Sequence, residues 1–316
     1  MRFFNSITDI FIINVRRDFM SNLSEKSLDR KVFLIISYVF IVIMAMLCVF
    51  PFIMIISGSF TSNDAIMKYG YSVIPKVFSL EAYAFIFRDP LKILNAYKMS
   101  IIVTIIGTVL TVTLCSMAGY VLSRKDYKYR NGLSFFFFFT TIFQGGLIPW
   151  YILCVRYLHF KDHPYIALIV PPLFNFFYLI VLRSFMSTIP EAIVESAKID
   201  GAGDFYIFRK LIIPLSKAPL ATIGLFSALN YWNDYYNPML FVTSDKFVPL
   251  QYFLYRIINT MNAINSQMST SGVVIQYPSE SFKLAMTVVA TGPIILAYPF
   301  IQKYFIKGIT IGAVKG

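Results

Sequence analysis

A chain of 316 residues in which 57% are apolar or aromatic, only 14% are charged and the mean hydropathy is +0.67 does not describe a water-soluble protein. Charged side chains supply about a quarter of an ordinary globular domain, and a soluble fold this poor in them would expose aggregating apolar patches. The formal charge of +12 would suggest nucleic acid in a soluble chain; in a membrane protein it reports orientation, because Lys and Arg are retained on the cytoplasmic side. The expected class is all-α, a polytopic membrane protein in contact with lipid and with no nucleic-acid partner.

A hydrocarbon core about 30 Å thick needs roughly 20 predominantly apolar residues. In chain order, an N-terminal arm (1–31) alternates apolar residues such as Phe3, Phe4 and Ile10 with Arg16 and Arg17, and reads as an interfacial helix or a disordered tail. The first span covers 32–57; it is too long for a signal peptide and is read as retained. An external loop (58–97) rich in Tyr, Ser and Pro follows. The core, 98–305, carries five further spans: Met99 to Leu122, Leu133 to Leu153 with five consecutive phenylalanines, Tyr165 to Leu182, Leu215 to Tyr235, and Leu284 to Tyr304. A second external loop, Asn237 to Lys283, separates the last two, and a short tail (306–316) ends the chain. Six transmembrane helices put both termini on one side. That side holds 18 of the 28 Lys and Arg, against ten in and beside the opposite loops, so both termini are expected in the cytoplasm.

Ion-driven carriers keep Asp, Glu, Lys or His inside the bilayer as a relay, and these spans have almost none. Asp234, near the end of the fifth span, reads either as a residue that caps the chain or as a substrate contact. The three cysteines, Cys48, Cys115 and Cys154, have neither disulfide nor metal-ligand spacing, and His159 and His163 lack further ligands. No catalytic constellation, metal site or cofactor is expected in this chain. Energy for transport has to enter elsewhere.

The cytoplasmic connector 187–214 is the segment that can receive it. Thr188 and Glu191 have capping-box spacing, with Pro190 in the first turn. Glu191, Glu195 and Lys198 then share one face of a short helix, Gly201 supplies its stop, and Asp204 is placed to cap a second helix that ends or bends at Pro214. A helix of about ten residues is marginal alone in water. It is either a connector resting on its own bundle or a docking element that lays its small side into a partner's groove; Ser196, Ala197, Gly201, Ala202 and Gly203 permit close approach.

These residues carry a resemblance. Glu195, Ser196 and Ala197, then Asp200, Gly201 and Ala202, then Ile213 and Pro214, resemble the EAA signature of permease subunits of binding-protein-dependent ABC importers, with Ser196 in place of the middle alanine. The ending from Pro299 to Gly316 is similar to that of the maltose-type, carbohydrate-importing branch. Gln144 to Pro149 and Ile74 to Tyr83 look like the LplC-type subgroup. The resemblance implies a type I ABC importer permease fold and a chain that is not itself an enzyme. It implies a second homologous permease, two ATPase subunits that bind ATP and Mg, an extracellular solute-binding protein and a sugar substrate at a bacterial plasma membrane. By the same analogy Glu191, Glu195, Ser196, Ala197, Asp200, Gly201, Ala202 and Pro214 belong to the ATPase-coupling segment. Glu195 would make a polar contact, Ala197 would pack and Gly201 would turn the chain, and the tail from Gly308 to Gly316 could reach the same partner.

Sugars are held by rings over their C–H faces and by amides or carboxylates at their hydroxyls. Tyr231, Trp232, Asn233, Asp234 and Tyr235 form the best such cluster, and an aromatic belt at the outer interface reads equally well. A self-contained carrier or channel, and an ABC permease for a non-sugar solute, are the alternative functions.

Overall fold

In the computed structural model the residues described are 28–271 and 280–295, and among them the protein is helical, joined only by loops and one isolated bridge between Thr61 and Phe78. The N-terminal arm up to residue 27, the second half of the sixth span and the C-terminal tail lie outside the described residues.

The first span is α1, Leu28–Ser59, and its apolar side chains stand exposed along nearly all of its length. A helix apolar on every side needs an apolar surrounding. The second, α2, runs from Pro90 to Ser123 and therefore starts well before the Met99 expected from hydropathy. Its start is chemical: the Asp89 carboxylate accepts the Lys92 N–H at 3.4 Å, and Pro90 occupies the first turn, where a missing N–H costs nothing. α2 is the axis of the molecule, packed along its length by α4, Phe176–Met186, and α6, Lys217–Asn233, with α3, Arg130–Ile142, and α5, Glu191–Ile199, closer to its Ser123 end.

Among the described residues only α1, over Lys31–Ser59, and α2 are single helices long and apolar enough to cross a membrane. The uninterrupted third and fourth spans expected from the sequence are broken in the structure. After α3 the chain turns by 110° into Leu147–Tyr157; Gly146, at φ +84°, adopts a conformation that costs other residues energy. The fourth is divided into Pro164–Ile169 and α4, because Pro171 and Pro172 cannot continue a helix. Asn175 starts α4 by accepting the Phe177 N–H at 2.8 Å. The fifth is α6 alone, set at 84° to the Asp204–Leu215 segment that precedes it.

The two loops expected on the external side contain helices among their described residues. The first contains Asn63–Tyr69 and Glu81–Ile86. The second contains Tyr236–Phe241 and a long amphipathic helix, α7, Leu250–Ser271. Leu250, Leu254 and Met261 of α7 are buried with Ile93 and Ala96 of α2, Trp232 of α6, and Phe282 and Met286 of the final described helix (280–295). A separate core closes the opposite end of α2, around Tyr120, Met186, Val194, Ile207, Phe208 and Ile212.

Candidate functional site: the connector and its cradle

α5 is built differently from the capping-box expectation. Pro190, extended at ψ 131°, immediately precedes the helix and no side chain caps it. The Thr188 hydroxyl instead donates to the Phe185 carbonyl at 2.8 Å, closing the last turn of α4. The extended proline carries Thr188 away from the free N–H groups of α5, which is why its spacing to Glu191 is not used. One side chain fastens the helix from within: Val194, 3% exposed, inserts among Tyr120, Met186 and Phe208. The opposite side is bare, with Ile199 86% exposed.

The stop at Gly201 has the expected chemistry. Its φ of +80° lets the Ala202 N–H reach the Ala197 carbonyl at 2.9 Å and the Gly201 N–H reach Lys198 at 3.0 Å, the paired bonds of a Schellman end. Asp204 does not cap the second helix. Gly203 holds the cap position, Asp204 is the first helical residue, and its carboxylate pairs with Lys198 at 3.3 Å. That helix widens at Phe208–Ile212 just before Pro214. Proline cannot donate to the carbonyl four residues back and crowds it, and a wider turn relieves both. The bend itself falls at Ser216, between Leu215 and α6.

Glu191, Glu195, Ser196, Asp200 and Gly201 are exposed, as is Pro214, while Ala197 and Ala202 are half-buried. Ala192, Ser196, Ala197, Gly201 and Gly203, with Tyr206 and Leu211, line an open depression of about 960 Å³. Ile199, Phe205 and Tyr206 are exposed around it. Small residues on the floor and large apolar ones at the rim suit an inserted partner element.

An ion network ties α5 to the turn between α2 and α3. Arg124 donates to both oxygens of Asp126 at 3.1 and 3.0 Å, Lys198 lies 3.5 Å from the same carboxylate, and Lys125 lies 3.3 Å from Glu191. The Arg124 guanidinium holds the Asp126 carboxyl below the ordinary carboxylate range. Exposed pairs contribute little individually, about 0–1 kcal/mol, but these fix the angle at which α5 is presented. Sequence reasoning missed this network, since the partners come from three separate segments.

At the other end of α6 the five aromatic and polar residues expected on a sugar path do not share one surface. Tyr231 is buried; its hydroxyl donates to the Ile169 carbonyl at 2.8 Å and lies 3.3 Å from Thr111 Oγ1. Trp232 is buried in the neighbouring core and donates from Nε1 to the Ala290 carbonyl at 3.2 Å. Asn233 is exposed and accepts from Gln251 at 3.4 Å, and Tyr235 stacks on Tyr255 of α7 with ring centres 5.0 Å apart. Asp234 accepts the Tyr236 and Asn237 N–H groups at 3.0 and 3.1 Å and the Asn237 amide at 2.8 Å, capping the turn that follows. A cavity of about 430 Å³ lies nearby between α2 and α7, lined by Phe85, Lys92, Phe253, Arg256 and Thr260 among others, and by none of the five.

No family model matches the chain. It is 40% identical over 289 residues to the polygalacturonan/rhamnogalacturonan transport system permease protein YtcP of Bacillus subtilis, covering 92% of this chain and 100% of that one. It is 29% identical to the trehalose/maltose transport system permease protein MalG of Thermococcus litoralis, over 87% of this chain and 94% of that one. Among solved structures, a bacterial ABC transporter involved in the import of the acidic polysaccharide alginate contains a chain matching with a TM-score of 0.74 and 30% identity. The match covers 89% of this chain and 99% of that one. The chain belongs to the permease subunits of carbohydrate ABC importers.

The permease is thus an all-α integral membrane protein of the expected class. Among its described residues no group of His, Cys, Asp or Glu is arranged to hold a metal ion. Cys115 and Cys154 are buried and Cys48 is exposed.

Proposed function

We propose that the permease forms, with a second related permease, the membrane path of an importer for oligosaccharides, and that α5 couples this path to a separate ATPase pair. The observation that carries the reading is the bare side of α5. A short helix held by one buried valine and an ion network, capped by Gly201 at positive φ, presents an apolar depression to the outside of the bundle. A surface of that kind is stable only when covered.

The polygalacturonan/rhamnogalacturonan, trehalose/maltose and alginate systems named above all transport saccharides, which supports an oligosaccharide here. The distribution of Lys and Arg supports a plasma-membrane orientation with both termini, and α5, in the cytoplasm. An extracellular binding protein then delivers substrate to the end where α7 lies. ATP and Mg belong to the partner ATPase. Its nucleotide-driven closure moves α5 and biases the bundle between states open to either side, and work is transmitted only because the partner binds those states unequally.

Uptake of labelled oligosaccharide into vesicles tests this. Vesicles with both permeases, the ATPase and the binding protein should accumulate sugar only with ATP. Vesicles holding this chain alone should neither accumulate sugar nor bind ATP; accumulation by the lone chain would establish a self-contained carrier instead.

A further inference from the structure

The ion network around α5 borders a second feature, separate from the depression on the outer side of that helix. Between the Ser123 end of α2, the first turn of α3 and the link from α4 to α5 lies a cavity of about 700 Å³. Four cationic side chains line it, Arg124, Lys125, Arg130 and Arg183, against one carboxylate, Glu191. Lys125 takes up Glu191, and Arg124 takes up Asp126 outside the cavity. Arg130 and Arg183 have neutral partners only: Arg183 donates to the Ser134 hydroxyl at 2.9 Å and Arg130 to the Asn131 side chain at 3.4 Å, with no acid paired to either among the described residues. A further wall is Tyr120, whose buried hydroxyl has no hydrogen-bond partner among the described residues although its ring packs on Phe208 at 5.5 Å. Two guanidinium groups without counter-charge and an idle hydroxyl together form a site for a phosphate oxyanion.

The surroundings say where the phosphate comes from. The cavity opens at the end of the apolar stretch of α2, and α3 leads away from it carrying Phe135, Phe136, Phe138 and Phe139, every one exposed, on a helix that buries none of its residues. An acyl chain below a seated headgroup would lie on those rings. We propose that this cavity binds the phosphodiester headgroup of an anionic phospholipid, with Arg130 and Arg183 as the phosphate donors. Basic pockets between spans at the cytoplasmic surface are suited to that chemistry. A phosphodiester bridging the two arginines joins α3 to α4 beside the residue where α5 begins.

The test uses the full chain in nanodiscs of phosphatidylcholine with a minor fraction of phosphatidylglycerol, followed by native mass spectrometry of the lipids retained after extraction. The expected result is one retained phosphatidylglycerol with phosphatidylcholine lost. Arg130→Gln should lower that retention about tenfold, the loss of one charge-assisted contact. Tyr120→Phe, which keeps the ring packing, should lower it less, and Lys246→Gln, exposed at the opposite end, should leave it unchanged. Equal retention of both lipids, or an equal fall with Lys246→Gln, would overturn the site. Occupancy by inorganic phosphate in pure phosphatidylcholine, with no phosphatidylglycerol retained, would overturn the lipid source. Displacement of the lipid when the ATPase assembles would also overturn it, in favour of an acidic protein segment. None of these readouts depends on transport, so the site and the importer reading fail separately.

Discussion

Two glycines show how single residues decide the two ends of the bundle. A Cβ on Gly107 would lie 2.4 Å from Tyr231 Cζ, so this glycine is the slot that lets the ring sit flat against α2. Gly107→Ala should therefore destabilise the permease by about 1–3 kcal/mol, the usual cost of overpacking, read as a lower Tm in detergent. The loss should be smaller in a Tyr231→Leu background, since the ring is what the methyl group meets. Gly201 is the opposite case: open space surrounds it, and the constraint is its φ of +80°. Gly201→Ala should weaken the end of α5 by about 1–2 kcal/mol while leaving the chain inserted. Gly201→Trp should in addition fill the depression and abolish stimulation of the ATPase; full stimulation by that variant would remove α5 from the coupling path. The role of Gly201 was legible because a helix stop is local. The packing role of Tyr231 was not, because its slot is on another helix.

At the scale of elements, α5 is a presented surface whose angle depends on pairing its own Glu191 and Lys198 with charges on the turn between α2 and α3. The Asp126 carboxyl is held below its ordinary range by Arg124, so its contribution is present above the unfolded value near pH 4 and is lost as pH falls through the lower folded value. Asp126→Asn should accelerate hydrogen exchange in residues 191–199 relative to wild type at pH 7, and the two proteins should converge toward pH 3. Convergence already at pH 6 would mean that the carboxylate is not what holds the turn. The sequence displayed the boundaries of α5 through Pro190 and Gly201, both confined to a few residues. It concealed α7, whose polar and apolar residues alternate at helical spacing inside what hydropathy reads as a loop, and the network, which only the packed chain brings together.

For the whole molecule, hydropathy identified the class and α1 correctly but smoothed over the breaks at Gly146 and at Pro171 and Pro172. A window of about 20 residues averages over a bend that one positive φ or one proline produces. Those breaks leave α2 as the long axis, with the α5 cradle at its Ser123 end and the α7 cap at the other, joined by packed helices. The most direct measurement is a cryo-electron microscopy map of the assembled importer. The account predicts that residues 191–203 lie in a cleft of the ATPase with Ile199 and Tyr206 covered, and a map in which that segment faces open solvent would contradict it.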